Sequence, residues 1–226
     1  MPAKSSAVTR LEEHPFFNRL EAVTRDRIAP LLQAREFARR QIVYFPNEAC
    51  DYVYWVVRGR VRVVRMGPEN REINVDIVTA GGMFGESALE EAWQAGEFAE
   101  TVEPSVLFMM RSADFRKVCR AYPDMAVAVA AEILEKLQRA WSAMAETAFW
   151  SVKRRLAAAL ERFMDSGNQM VSMTHLDLAR TVVAARETVT AHLRELEQDG
   201  ILKLEHRRIW IQDPERLHRI AAGAQP

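Results

Sequence analysis

Cysteine is scarce in this 226-residue chain, which has only Cys50 and Cys119. Two thiols make neither a disulfide framework nor the set of roughly four that holds an iron–sulfur cluster. Long apolar runs are missing as well. None approaches the roughly 18 residues that cross a bilayer, and the start Met1-Pro2-Ala3-Lys4-Ser5-Ser6 lacks the apolar stretch of a signal peptide. A cytoplasmic protein with no membrane partner is expected. No sign of charge dominates: 31 Lys and Arg balance 31 Asp and Glu, which argues against indiscriminate nucleic-acid binding. Residues 148–226 hold 12 basic against 10 acidic side chains, a tilt that matters only if it clusters. Histidine is missing where a metal enzyme built on strands would need it. His14, His175, His192, His206 and His218 all lie outside residues 37–111, the strand-rich part of the chain, so no catalytic or metal-ligating residue is assigned.

A 49% hydrophobic and 27% charged composition is that of an ordinary globular chain, long enough for one large domain or two small ones. Residues 1–10 read as disordered. From Leu11 to Leu32 a helical pattern is punctuated by Pro15 and Pro30, which predicts short helices with a break near Thr24. From Phe37 to Arg111 the period changes to short β-branched and aromatic runs. Ile42–Tyr44, Tyr52–Val57, Val61–Val64, Ile73–Val78 and Val106–Met110 are separated by Pro46-Asn47, Arg58-Gly59, Gly67-Pro68 and Gly81-Gly82. Such spacing predicts a small barrel or jelly roll, here a ligand-binding one. Gly85-Glu86-Ser87 interrupts the strands, either as a plain turn or as a turn opening one helical turn.

A helix is predicted from Asp124 to Ala148. Val127, Ala130, Leu134, Leu137, Trp141, Met144 and Ala148 fall at steps of 3, 4, 3, 4, 3 and 4, the heptad spacing that keeps one apolar seam facing a partner helix. A two-stranded coiled coil between two copies is the expected use of that seam; packing on its own domain is the alternative. A further amphipathic helix is expected over Phe149–Met164, ended by Asp165-Ser166-Gly167-Asn168.

The last segment has the order of a DNA-reading head. Thr174 with Asp177 makes a capping-box-like start, Leu176, Leu178 and Ala179 mark a short helix, and Thr181-Val182-Val183 a turn. Ala185–Gln198 then forms a second helix that buries Val189, Leu193 and Leu196 and exposes Arg186, Glu187 and Thr190, where a recognition helix enters the major groove. Two strand runs, Ile201–Leu204 and Arg208–Ile211, make a wing tipped by His206 and Arg207.

Ala185-Arg186-Glu187-Thr188-Val189, followed by Leu193, Leu196-Glu197 and Gly200-Ile201, resembles the recognition-helix signature of the cyclic-AMP receptor protein/FNR superfamily of transcription regulators. The resemblance extends over residues 15–215. It implies an α+β chain in three parts: an N-terminal β-roll effector domain over 1–123, a dimerisation helix over 124–148, and a winged helix-turn-helix DNA-binding domain over 149–226. It also implies a homodimer on a palindromic site in double-stranded DNA, contact with RNA polymerase, and no enzymatic activity. Arg186 would meet guanine O6 and N7, Glu187 cytosine N4, and Thr190 a thymine methyl or a phosphate. Thr174, His175, Thr188, His206, Arg207 and Arg208 are candidates for phosphate contacts. Ala191 replaces a second arginine that many members carry, so one contact is expected to be lost.

The effector side departs from the family. Cyclic-nucleotide binders follow Gly-Glu, about eleven positions on, with an arginine and a small hydroxyl residue; here Gly85-Glu86 is followed by Gly96-Glu97-Phe98-Ala99. Glu97, or Gly96 in an ungapped alignment, stands where that arginine would; a carboxylate there would repel a cyclic phosphate, and the purine side becomes Ala140 and Trp141. Cyclic nucleotide is therefore disfavoured. Haem is too, with only Cys50 in the roll, Cys119 just beyond and no histidine. The expected effector is an unidentified small molecule near Glu86, Ser87, Glu97, Phe98, Lys136 and Trp141. The alternatives are a constitutive regulator without effector, or a cyclic-nucleotide sensor whose helical tail meets protein.

Overall fold

The strand-rich part reads as continuous apolar runs because its middle strands are buried on both faces. The computed structural model describes residues 11–46, 51–68, 72–90, 96–165 and 167–223. The roll is built from β1 (Gln33–Phe37), β2 (Ile42–Tyr44), β3 (Tyr52–Arg58), β4 (Arg60–Met66), β5 (Glu72–Thr79), β6 (Met83–Phe84), β7 (Glu97–Thr101) and β8 (Ser105–Arg111). They form two four-stranded sheets, ordered β1-β8-β3-β6 and β2-β7-β4-β5. In β3, Tyr54 and Val56 face the roll interior with Phe37, Val61, Val63, Phe84, Ala99 and Leu107. Val53 and Trp55 face the other way, into a second cluster with Phe16, Phe17, Phe108, Met110 and Phe115. A two-residue period in which both faces are apolar leaves no polar position to break the run.

That second cluster is closed by α1 (Pro15–Asn18), α2 (Ala22–Ile28), α3 (Ser112–Ala121) and the start of α4 (Pro123–Phe149). The break in the lead-in falls at Arg19–Glu21 rather than near Thr24, which is buried inside α2. Asp124 explains the shift: its carboxylate accepts from Glu21 N at 2.9 Å and Thr24 Oγ1 at 3.0 Å, fixing where α2 begins. Two glycines set sharp turns. Gly59, at φ +94° between β3 and β4, lies so close to Ser105 that a Cβ would sit 2.3 Å from its Oγ. Gly85, at φ +80°, opens a 3-10 turn over Glu86–Leu89, one of the two forms the sequence allows there. Cys119 is half-buried, and desolvation pushes its thiol pKa up to about 11, so it is a poor nucleophile at neutral pH. Cys50 lies outside the described residues.

The chain falls into two compact units whose main boundary is at Gln138–Arg139, inside α4. This helix is one residue longer at each end than expected. It buries Met125, Ala128, Val129 and Glu132, and every seam position from Val127 to Ala148 is exposed. The next helix, α5 (Val152–Phe163), starts three residues later than expected because Ser151 caps it, its hydroxyl accepting from Arg154 N at 3.3 Å. Arg155 closes the end of α4 by donating to Thr147 O at 2.8 Å and Trp150 O at 3.3 Å.

The second unit then runs through β9 (Met170–Val171), α6 (His175–Val182), α7 (Arg186–Gln198), β10 (Leu202–Glu205), β11 (Arg208–Ile211) and α8 (Pro214–Ala222). The wing is a three-stranded sheet, β10-β11-β9, rather than a two-stranded hairpin. No helix of the described residues is long and apolar enough to cross a membrane.

Candidate nucleic-acid interface and effector site

The helical hairpin of α6 and α7 is assembled from local signals. Thr174 caps α6: its hydroxyl oxygen accepts from Asp177 N at 3.1 Å, and Asp177 Oδ2 accepts from Thr174 N at 3.3 Å, a reciprocal capping box. Asp177 does the work of the usual glutamate. The turn follows α6 rather than lying within its last residues. Helical structure runs through Thr181 and Val182, and the chain reverses at Val183, which adopts φ 52° and ψ 62° while Ala184 N donates to Ala179 O at 3.0 Å. Ala185 is the N-cap of α7, so that helix begins at Arg186.

Val189, Leu193 and Leu196 are fully buried, and Arg186, Glu187 and Thr188 at the start of α7 are exposed. Thr190 is half-buried, its Oγ1 3.1 Å from His175 Nδ1. Partial burial first, then the charges of Arg186 and Arg194, hold His175 below its ordinary imidazole value. The wing tip places His206, Arg207 and Arg208 at the surface, with Arg207 left-handed at φ 59°. Glu205 braces the wing, accepting from Trp210 Nε1 at 3.0 Å and pairing with Lys203 at 2.9 Å. The chemistry on offer is a forked cation, a carboxylate acceptor, hydroxyls and a basic tip, a set suited to base edges and phosphates.

The expected effector residues are not all brought together. Lys136, on α4, bonds both Glu86 oxygens at 2.9 and 3.0 Å and lies 3.6 Å from Asp76. Asp76 was not anticipated: it stands in the alternating run Ile73–Val78, and one sequence does not say which helix that face meets. Glu97 pairs instead with Arg65 on the neighbouring strand, at 3.4 Å. The carboxylate of Glu97 thus already faces a guanidinium, contributed by β4. Phe98 lies on the opposite face of β7 from Glu97 and Ala99, with the Arg62 guanidinium 5.8 Å from its ring centroid. Ser87 sits in the 3-10 turn beside Glu86. Trp141 is on the exposed seam. Among the described residues, no group of three or more His, Cys, Asp or Glu side chains is placed to hold a metal.

Residues 34–122 match a cyclic nucleotide-binding domain model, and residues 154–220 match a Crp-like helix-turn-helix domain model. The chain is 24% identical over 210 residues to a cyclic AMP receptor protein from Thermus thermophilus, covering 92% of this chain and 97% of that one. It is 29% identical over 199 residues to a CRP-like cAMP-activated global transcriptional regulator from Mycobacterium tuberculosis, covering 84% and 88%. A solved CRP-family transcriptional regulator from Thermus thermophilus superposes with a TM-score of 0.74 at 26% identity, covering 85% of this chain and 98% of that one. With both domain types in the family's order and relatives aligned over nearly their full length, this chain belongs to the cyclic-AMP receptor protein/FNR superfamily of transcription regulators, which are not enzymes.

Proposed function

We propose that the chain is a cytoplasmic, homodimeric regulator that reads a palindromic operator and whose roll does not take a cyclic nucleotide. The observation that carries the DNA-reading part is α7: its buried stripe anchors it, and Arg186 and Glu187 stand exposed on its first turn. Arg186 reads guanine and Glu187 accepts from cytosine, each contact contributing about 1–3 kcal/mol of discrimination. Thr174, His175, Thr188, His206, Arg207 and Arg208 set register on the phosphates. Two copies joined along the α4 seam place their recognition helices about one turn of duplex apart, roughly 34 Å.

The electrostatics of the roll support the effector part. A cyclic phosphate entering beside Glu97 would have to displace that carboxylate from Arg65, and Lys136 is already held by Glu86 and Asp76. An effector must distinguish two arrangements of the dimer to act at all. A small molecule without a phosphate fits this charge pattern better than a nucleotide. A gel shift at several salt concentrations tests the first part: Arg186→Ala and Glu187→Ala should each lose sequence preference and retain salt-dependent, non-specific binding. Sequence preference that survives both changes points instead to a sensor whose helical tail meets protein. Titration calorimetry with 3′,5′-cyclic AMP tests the second part: no heat of binding is expected, and saturable micromolar binding overturns it.

A further inference from the structure

A hydrogen bond joins the start of the first helix of the helix-turn-helix to the second turn of the other. His175 is the first residue of α6 and Thr190 belongs to the second turn of α7. The ring nitrogen Nδ1 of the first is 3.1 Å from the hydroxyl of the second. Threonine is β-branched, so placing its oxygen on His175 selects one staggered well and thereby fixes where its methyl stands. The ring is carried by the residue that follows Thr174, the N-cap of the reciprocal Thr174–Asp177 box. Its burial and the nearby Arg186 and Arg194 charges favour the neutral form.

Thr190 lies four residues, one helical turn, beyond Arg186. A threonine there has two things to offer a base edge, a hydroxyl and a methyl. With the hydroxyl committed to the ring, the methyl remains. The major-groove edge of a base pair has one apolar group, the thymine 5-methyl. We propose that His175 is a positioning residue for sequence readout: by holding the Thr190 hydroxyl, it makes the Thr190 methyl the group that reads a thymine in each half-site. This rests on the DNA-reading role of α7, and its consequences differ from those of that role alone.

The test uses the full-length protein and a duplex selected with it from a random-sequence pool. Each thymine is replaced in turn by uracil, which pairs identically but lacks the methyl. For the wild type, one thymine per half-site should be sensitive, with binding weakened about fourfold, the worth of one buried methyl group. Thr190→Ser keeps the hydroxyl and loses the methyl, and should lose that sensitivity. Thr190→Val keeps a branched apolar group and should retain it. His175→Ala should lose it, and His175→Ala combined with Thr190→Val should regain it, because valine needs no ring to present a methyl. A purely structural role for His175 would weaken binding to the thymine and uracil duplexes equally. If no sequence emerges from the selection, or Arg186→Ala binds the selected duplex as tightly as the wild type, the DNA-reading role itself fails. If Arg186→Ala weakens binding but Thr190→Ser or His175→Ala keeps the full uracil penalty, only the role of His175 is overturned.

Discussion

Lys136 ties the long helix to the roll, and the strength of that tie can be worked out from its surroundings. Its ammonium makes two charge-assisted hydrogen bonds to Glu86, at 2.9 and 3.0 Å, with Asp76 at 3.6 Å. The Lys136 and Glu86 side chains are 15% and 30% exposed, so solvent screens the pair only in part. A charge-assisted hydrogen bond contributes about 1.5–3 kcal/mol, and an exposed ion pair under about 1 kcal/mol. Taking the partly buried geometry between these, the Lys136–Glu86 coupling should be about 2 kcal/mol. Lys136→Met should destabilise by more than that, because Glu86 and Asp76 then lose the ammonium they share. Glu86→Gln should partly relieve this loss. A double-mutant cycle on the full chain, followed by urea unfolding with a probe in the first unit, gives the number. A coupling within about 0.3 kcal/mol of zero would refute the reasoning, since additive losses mean the two groups do not feel each other.

Two further outcomes follow from the packing. His14 is buried; its Nδ1 accepts from Phe16 N at 3.3 Å and its Nε2 lies 3.1 Å from Val56 O. Burial outweighs the bond to Val56 and keeps its pKa below the ordinary imidazole value of 6.5. Its contribution is therefore complete above pH 6.5 and is lost as pH falls through the lowered value in the folded state. Melting temperature should drop between pH 7 and 5, and His14→Gln should flatten that slope; an unchanged slope would count against it. In the second unit, Arg154 donates to Ala221 O and Ala222 O, both at 3.0 Å, and stacks 3.9 Å over Trp150. Arg154→Ala removes a cation from the end of α8 and should cost about 1–2 kcal/mol by denaturant unfolding. Arg154→Lys should recover less than half, since an ammonium cannot stack and fork at once.

What was readable in the sequence was whatever depends on neighbours in the chain. The heptad from Val127 to Ala148, the Thr174–Asp177 cap and the buried stripe Val189, Leu193 and Leu196 are all local periodicities, and each stands where its spacing put it. The errors came where a distant group sets a boundary. Thr24 sits inside a helix because Asp124, a hundred residues later, holds its hydroxyl. One local signal was misread: α5 begins at Val152 because the Ser151 cap outranks an amphipathic pattern that also fits Phe149. The third wing strand, Met170–Val171, is too short to carry a period and joins the sheet by pairing with Ile209 and Trp210. In the roll, Arg65 and Asp76 were missed for the same reason: the register that sets Arg65 against Glu97 and the packing that sets Asp76 against Lys136 join residues far apart in the chain.

The central claim is that two copies join along the α4 seam. In the single chain that face is left uncovered: Val127, Trp141 and Met144 are 68%, 56% and 69% exposed. Leu137→Lys would put two ammonium groups face to face across a two-fold seam. Sedimentation equilibrium of the wild type should give twice the chain mass of 25.8 kDa, and Leu137→Lys should give the single mass and lose the selected duplex. Wild-type protein that sediments as a single chain, with and without duplex, would contradict the account.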